Sequence, residues 1–337
     1  MPQRPGRHLS RRDFLRIVAI GGGATALWKI GLETPDPQLV AKQSRFAIGT
    51  VINLTLIGGN QEQAQAVIAS VFQRVAALEA TLSRFLPGSD VCRLNRHGGL
   101  QSPNSIFVDL LSLARKTSIL TGGAFDVTVK PLIDVYEGRF RRDGGLPPVR
   151  EIAETLALVD FTKLHFSAQN VWFENPGMGA TLDGIAKGYI VDEGVKLLRE
   201  GGYPNVMMEA GGDLLALGER GTNVPWRIGI QDPRAGMARL LKEIDLTNKA
   251  IATSGDYMQT YSPDFRNHHI VNPKTGYSSP YLASATVIAP TCCQADALAT
   301  ALMVTSIQEG IALLGDLKNV DAILVSKDGR VLSTVDS

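Results

Sequence analysis

The chain has 337 residues, with 34 lysines and arginines against 33 aspartates and glutamates, so its formal net charge is +1. This balance argues against a nucleic-acid-binding surface as the main function, because phosphate backbones are bound by an excess of basic charge. Hydrophobic residues make up 44% of the chain, which excludes disorder over the whole length. The chain has three cysteines, Cys92, Cys292 and Cys293. Their number does not suit a disulfide framework, and their spacing is not that of a zinc site.

Residues 1–36 are predicted to be an export signal and a linker. The pair Arg11-Arg12 precedes an apolar run at 17–26, which is much shorter than the roughly 20 residues that a membrane span needs. A basic segment followed by a short apolar one is typical of a secretory signal, and the arginine pair indicates the twin-arginine type. We therefore expect an extracytoplasmic, periplasmic protein, or one that stays membrane-anchored if the signal is not cleaved.

Residues 37–337 are predicted to form one domain with an α+β fold. Hydrophobic periodicity predicts helices at 61–82, 108–120, 185–199, 294–304 and 307–314, and strands at 46–57, 163–166, 171–174, 206–208, 226–230, 241–246, 251–253, 285–289 and 322–325. Residues 83–95 and 139–148 are expected to be loops. Strands come mostly in adjacent runs with helices between the groups, which favours α+β over a doubly wound parallel sheet.

Three glycine-containing segments suit the approach of a ligand. Segment 121–131 contains Asp126 and Thr128, which are expected to share one side of an extended stretch; a helix end and a turn would explain only its glycines. Segment 181–189 leads into a helix, where backbone N–H groups and Lys187 suit a phosphate. Segment 209–213 has two glycines after a strand, which is equally typical of a tight turn.

Two further segments contain a candidate base and candidate metal ligands. His268 and His269 are adjacent, so only one of them can face a site from a strand, and histidine suits general-base chemistry near neutral pH. An exposed pair before a turn is an equal alternative. Asp296 and Thr300 share one face of a predicted helix, and their oxygens suit a hard cation such as Mg²⁺. The helix dipole would explain Asp296 but not Thr300.

In this order, the segments resemble one family, the FAD:protein FMN transferases, or ApbE family. The resemblance runs from about residue 46 to the C-terminus. It rests on Leu82-Ser-Arg-Phe85, Gly123-Ala-Phe-Asp-Val-Thr128, Gly184-Ile-Ala-Lys-Gly-Tyr189, Ala210-Gly-Gly-Asp213, Thr253-Ser-Gly-Asp256, His269-Ile-Val-Asn-Pro-Lys-Thr-Gly276 and Ala295-Asp-Ala-Leu-Ala-Thr300. It implies a central, mainly antiparallel sheet with flanking helices.

The activity that the resemblance implies is Mg²⁺-dependent cleavage of FAD, with transfer of FMN to a Thr or Ser of an acceptor redox protein and release of AMP. It also implies that His269 is the base, and that Mg²⁺ is bound by Asp296, Thr300 and the carbonyl of Gly184. The implied FAD contacts are Ile48, Phe85, Ala124, Phe125, Asp126, Thr181, Lys187 and Val271. A Mg²⁺-dependent FAD pyrophosphatase and a non-catalytic flavin carrier stay open as alternatives.

Three residues depart from the family pattern. Thr181 and Asn272 stand where the family usually has aspartate, and Asp183 is a carboxylate that the pattern does not contain. The sequence leaves open whether Asp183 replaces the lost hydrogen-bond acceptor or weakens FAD binding through its charge.

Overall fold

The secondary structure of the computed structural model is described for residues 39–335, without the side chains of 39, 40, 143 and 236–238. The strands are β1 (Leu39–Ala47), β2 (Thr50–Ile57), β3 (Gly99–Gln101), β4 (Leu164–Phe166), β5 (Asn170–Phe173), β6 (Asn205–Ala210), β7 (Asp213–Leu217), β8 (Trp226–Asp232), β9 (Gly236–Leu246), β10 (Lys249–Gly255), β11 (Leu282–Ala289), β12 (Asp321–Ser326) and β13 (Val331–Ser333). The helices are α1 (Gln61–Leu82), α2 (Asp90–His97), α3 (Ser105–Leu120), α4 (Lys130–Asp143), α5 (Val149–Leu156), α6 (Ala186–Glu200), α7 (Cys292–Leu302) and α8 (Ile307–Gly315).

The central element is an eight-stranded sheet in the order β1-β2-β6-β7-β10-β11-β12-β13. Every neighbouring pair of strands in it is antiparallel. A small sheet, β3-β5-β4, and the hairpin β8-β9 lie outside it. The sheet and its helices confirm the expected α+β fold with a central antiparallel sheet.

The two faces of the sheet are covered by different elements. In β7, Leu215 belongs to the large core beneath the helices, whereas Leu214 belongs to a smaller core beneath β8 and β9. In β10, likewise, Ala252 belongs to the large core and Ile251 to the smaller one. The reason is that successive side chains of a strand point to opposite faces. Residues at the ends of β7 and β10 can therefore reach the helical layer, where α6 and α7 lie.

Helices α6 and α7 touch each other at Gly188. A Cβ atom on Gly188 would lie 2.3 Å from the carbonyl oxygen of Cys292, so the close approach requires glycine. One turn further along α6, the carboxylate of Asp192 accepts the N–H groups of Cys292 and Cys293 at 2.7 and 2.8 Å. These bonds cap the first turn of α7. Both cysteines are buried in the first turn of α7, as free cysteines usually are.

Three expectations about the chain before α4 are wrong. The predicted strand at 46–57 is a hairpin, because Ile48 and Gly49 both have positive φ and turn the chain between β1 and β2. The predicted loop at 83–95 contains most of α2, whose first turn is capped when the Ser89 hydroxyl accepts the N–H of Cys92. The stretch that contains Asp126 and Thr128 is not extended, since Val127–Val129 forms a 3₁₀ turn.

A fourth expectation failed for the charged segment at 139–148. Its first half completes α4, and the ion pair between Glu137 and Arg141 joins residues that are one helical turn apart. The helix ends at Gly144, which adopts the left-handed conformation. The predicted export signal lies outside the described residues, and of the described helices none is long and apolar enough to cross a membrane.

Replacing Gly188 with alanine is expected to destabilise the protein, because the added methyl group would strike the backbone of α7. Overpacking of this kind costs about 1–3 kcal/mol. Gly138, within α4, is the matched control, since a Cβ there meets no described atom within 4 Å. Gly138→Ala should be neutral or stabilising by up to about 1 kcal/mol through helix propensity. Urea unfolding midpoints measure both effects, and equal midpoints would contradict the packing argument.

Candidate active site

The three predicted metal ligands lie next to one another beside α7. Asp296 and Thr300 are one turn apart on this helix. A Cβ on Gly184 would lie 2.8 Å from the Thr300 Oγ1, so the backbone of the Gly184 turn packs against that hydroxyl. The same hydroxyl lies 3.3 Å from the Oγ of Ser254 on β10. The structure therefore brings together the oxygen-bearing groups that the sequence analysis had grouped from two distant segments.

These ligands fit a hard cation. The Oδ2 atom of Asp296 accepts the N–H of Gly188 at 3.0 Å, while its Oδ1 accepts no hydrogen bond from the described residues. A carboxylate, a hydroxyl and a backbone carbonyl are the oxygen ligands that Mg²⁺ prefers. No group of three or more His, Cys, Asp or Glu in the described part of the chain is placed to hold a metal. A Mg²⁺ ion here would need water and substrate phosphate to complete its coordination.

The environment of Asp296 favours its neutral form when no cation is present. Burial of the carboxyl group, and then the nearby carboxylate of Asp213, raise the pKa of Asp296 to about 8. Lys187 acts in the opposite direction but does not cancel these effects. A bound cation would supply the positive charge that this carboxylate lacks.

Lys187 is held by a buried carboxylate. Its Nζ lies 2.9 Å from the Oδ2 of Asp213, whose side chain is only 1% exposed, and 3.5 Å from the carbonyl oxygen of Gly211. The other oxygen of Asp213 accepts the N–H of Thr253 at 3.2 Å. Burial lowers the pKa of Lys187, but the carboxylates of Asp213 and Asp296 outweigh it and raise the pKa above its ordinary value. The lysine is therefore a fixed positive charge.

The role of Asp213 had not been assigned from the sequence, although the residue follows the two glycines of a recognised motif. Those glycines form the turn between β6 and β7, and both have positive φ. The sequence feature that could have drawn attention to Asp213 is its position directly after this glycine turn. Its partner could not be identified, because Lys187 lies on a helix 26 residues earlier in the chain.

The two adjacent histidines have different surroundings. His268 is completely buried, neither ring nitrogen has a hydrogen-bond partner among the described residues, and burial lowers its pKa to about 4. His269 is half-buried, and its Nδ1 lies 3.1 Å from the carbonyl oxygen of Gln259. Burial also lowers the pKa of His269, and Asp183, Lys187 and Arg84 are close enough to affect it. His269 is therefore neutral near pH 7 and lies near the Gly184 turn.

The predicted FAD contacts differ in accessibility. Five of these residues have buried side chains, namely Ala124, Phe125, Asp126, Thr181 and Val271. The side chains of Ile48 and Lys187 are partly buried, and that of Phe85 is about half exposed. Val271 packs in a small core with Leu132 and Tyr136, whereas Ala124 and Phe125 belong to the large core. The N–H of Thr181 donates to the carbonyl of Val127 at 2.8 Å, which joins two of the predicted motifs.

Asp126 uses both of its carboxylate oxygens within the protein. Its Oδ1 accepts the N–H and the hydroxyl of Thr128 at 2.7 and 2.6 Å, and its Oδ2 accepts the N–H of Phe161 at 3.0 Å. Burial raises the pKa of Asp126. Asp126 and Thr128 thus do face each other, but they fix the loop by capping its 3₁₀ turn. A contact between Asp126 and FAD stays a prediction.

Two cavities are open near these elements. The larger, about 520 Å³, is lined by residues that include Asn95, Lys130 and Glu174. The smaller, about 320 Å³, lies between the main sheet and the hairpin β8-β9, and Glu209 and Gly212 contribute to its wall. None of the predicted site residues lines either cavity within the described structure. The candidate site is therefore described by its side-chain contacts.

The fold and the site define an α+β protein in which ligands for a hard cation, a paired lysine and a neutral histidine meet beside one face of an antiparallel sheet. The model of the ApbE family matches residues 48–324. The chain belongs to the ApbE family, which confirms the resemblance.

Known relatives and solved structures agree with this membership. The chain is 29% identical over 314 residues to an FAD:protein FMN transferase of Vibrio cholerae, with 90% of this chain and 92% of the relative covered. Its fold is similar to that of the flavin transferase ApbE from Vibrio cholerae, with a TM-score of 0.77, 28% identity, and coverage of 87% of this chain and 96% of that one. The ApbE protein from Thermotoga maritima gives a TM-score of 0.79 at 27% identity, with 88% and 97% covered.

Asn272, one of the departures, is suited to its position. Its Nδ2 donates to the carbonyl oxygen of Val304 at 3.0 Å, and its Oδ1 accepts the N–H of Lys274 at 2.8 Å. An aspartate could make the second bond but not the first, because an ionised carboxylate has no donor.

Asn272→Asp is therefore expected to destabilise the protein by about 1–3 kcal/mol, since two acceptors would face each other. The matched control is Asn319→Asp at an exposed position. Thermal unfolding at pH 7 measures both changes. A midpoint for Asn272→Asp equal to that of the control would show that the bond to Val304 contributes nothing.

Proposed function

We propose that the protein is a flavin transferase that cleaves the pyrophosphate of FAD, joins FMN through a phosphoester bond to a Thr or Ser of an acceptor protein, and releases AMP. The observation that carries the proposal is the placement of Gly184, Asp296 and Thr300 beside Lys187 and His269, in a chain of the ApbE family. The relatives named FAD:protein FMN transferase support the same activity.

Different side chains of the protein would have different roles in such a transfer. Lys187, fixed by Asp213, would hold a phosphate oxygen and offset its negative charge. The residues that would hold Mg²⁺ are Asp296, Thr300 and the carbonyl of Gly184. Mg²⁺ bound there would neutralise charge on the pyrophosphate oxygens.

His269 has the geometry of a base. A carbonyl oxygen only accepts hydrogen bonds, so the contact with Gln259 places the proton of the neutral ring on Nδ1. The Nε2 atom is then free of a proton and can take one from the acceptor's hydroxyl group. The hydroxyl oxygen forms a bond to the phosphorus of the FMN half, and the bond from that phosphorus to the oxygen of AMP breaks.

The remaining assignments belong to the same proposal. Residues 1–36 would export the protein through the twin-arginine route as a periplasmic protein, with the transferase domain at 37–337. The acceptor would be an extracytoplasmic redox protein with an exposed Ser or Thr. The FAD contacts would be Ile48, Phe85, Ala124, Phe125, Asp126, Thr181, Lys187 and Val271.

Binding of Mg²⁺ is expected to release a proton near neutral pH. Because the pKa of Asp296 is raised to about 8, the group is largely protonated at pH 7, and a metal ion must displace that proton. The affinity for Mg²⁺ should therefore fall as the pH decreases below about 8 and level off above it.

Calorimetric titration with Mg²⁺ in two buffers of different ionisation enthalpy measures the number of protons released. Asp296→Asn is the control and should abolish both the binding and the release. Mg²⁺ binding that is independent of pH between 6 and 8 would contradict the assignment of Asp296.

The proposed activity is tested with purified protein, FAD, Mg²⁺ and a flavin-acceptor domain. The expected result is AMP release and a gain in the acceptor's intact mass equal to one FMN unit, both lost with EDTA. His269→Ala should lower the rate by about 10²–10⁴-fold. His97→Ala, at an exposed histidine, is the matched control.

Other outcomes separate the alternatives. AMP and free FMN, without a change in acceptor mass, would indicate an FAD pyrophosphatase. Bound FAD without AMP in any condition would indicate a flavin carrier and would contradict the proposal.

A further inference from the structure

Arg84 joins three segments at the edge of the candidate site. Its Nη2 lies 2.9 Å from the Oε1 of Glu137 on α4, and its Nε pairs with the Oδ2 of Asp183 in the turn before α6. Its guanidinium group also stacks on the ring of Phe85, 4.2 Å from the centroid. The Arg84 side chain is only 13% exposed, so these contacts fix it in one position.

Asp183 is an unusual neighbour for an anionic substrate. It directly precedes Gly184, its side chain is 46% exposed, and it contributes to the electrostatic environment of both Asp296 and His269. An unpaired carboxylate at this position would repel the pyrophosphate of FAD. The ion pair with Arg84 offsets that charge.

The two carboxylates bound to Arg84 depend on it to different degrees. Glu137 also pairs with Arg141 on α4, so it keeps a positive partner when Arg84 is removed. Arg84 is the only ion-pair partner that the described structure gives to Asp183. Loss of Arg84 would therefore mainly expose the charge of Asp183.

We propose that Arg84 is a positioning residue for FAD, which neutralises Asp183 beside the pyrophosphate and links the turn of Gly184 to the ring of Phe85. The inference rests on the proposed function, because it requires the pyrophosphate to bind near Gly184. It predicts that the loss of Arg84 and the loss of the Asp183 charge have unequal effects on FAD binding, which a purely structural ion pair would not show. Loss of the arginine should be harmful only while Asp183 keeps its charge.

The test compares Arg84→Gln, Asp183→Asn and the double variant. The dissociation constant of FAD with Mg²⁺ is measured by flavin fluorescence, and KM and kcat for FAD are measured by AMP release. Arg84→Gln should raise the dissociation constant and KM at least about tenfold. Asp183→Asn should change them by less than about threefold, and the double variant should return to within about threefold of Asp183→Asn.

Two controls keep the test decisive. The exposed pair Arg150 and Glu154, changed by Arg150→Gln and Glu154→Gln, should leave FAD affinity unchanged. If Arg84→Gln does not fold, Arg84→Lys replaces it, and FAD affinity should then fall by less than about tenfold, because the lysine keeps the charge that faces Asp183. Thermal midpoints are recorded for every variant.

The inference is overturned if Asp183→Asn weakens FAD binding as much as Arg84→Gln, or if the double variant is not rescued. It is also overturned if Arg84→Lys, used as the substitute, weakens FAD binding by about tenfold or more although it keeps the charge that faces Asp183. Failure of the proposed function has a different signature, because the unmodified protein would then add no FMN mass to the acceptor, whether or not it released AMP. If that protein also failed to bind FAD, the inference would fall with it.

Discussion

The contact between helices α6 and α7 is the constraint on which the candidate site depends. Gly188 lets the two backbones meet, and its N–H binds Asp296, so one residue sets both the distance and the orientation of the proposed metal ligand. Asp192 fixes the start of α7 from the same helix. The pKa of Asp192 is raised to about 6, because burial outweighs the two N–H groups that it accepts. Asp192 is thus held at the junction of the two helices, where burial disfavours its charged form.

Burying a charged group costs free energy, and near the ends of β7 and β10 two buried carboxylates are in ion pairs that link distant segments. Lys187 and Asp213 connect α6 to the turn that begins β7. Asp256, completely buried after β10, is paired with Arg234 at 2.7 Å and with Lys327 at 3.2 Å. Replacing such pairs with apolar residues would often be neutral or stabilising for a fold. Their concentration around the ends of β7 and β10 therefore agrees better with a requirement of chemistry than with a requirement of stability.

The sequence predicted which residues of the candidate site lie together, but it did not predict the ion-pair partners that hold them in place. Asp296 and Thr300 were grouped correctly because a helix places residues four apart on one face. Helix α1 was predicted with its observed bounds, because its apolar residues repeat over 22 residues. The partners of Lys187 and Asp183 were not predicted, because Asp213 and Arg84 are distant in the chain and come close only through the fold. Helix α4 was not predicted at all, and its charged residues from 139 onward were read as a loop because the pairing of Glu137 with Arg141 was not known.

Two of the departures from the family pattern, Thr181 and Asp183, are explained by their contacts with each other and with Arg84. The hydroxyl of Thr181 accepts the N–H of Asp183 at 3.2 Å, which is the bond that an aspartate at 181 could also make. The substitution therefore keeps the turn while it removes a negative charge. Asp183 restores a negative charge nearby, and Arg84 in turn neutralises it. Two changes and one ion pair thus keep the negative charge beside Gly184 low, which agrees with the proposed binding of a pyrophosphate there.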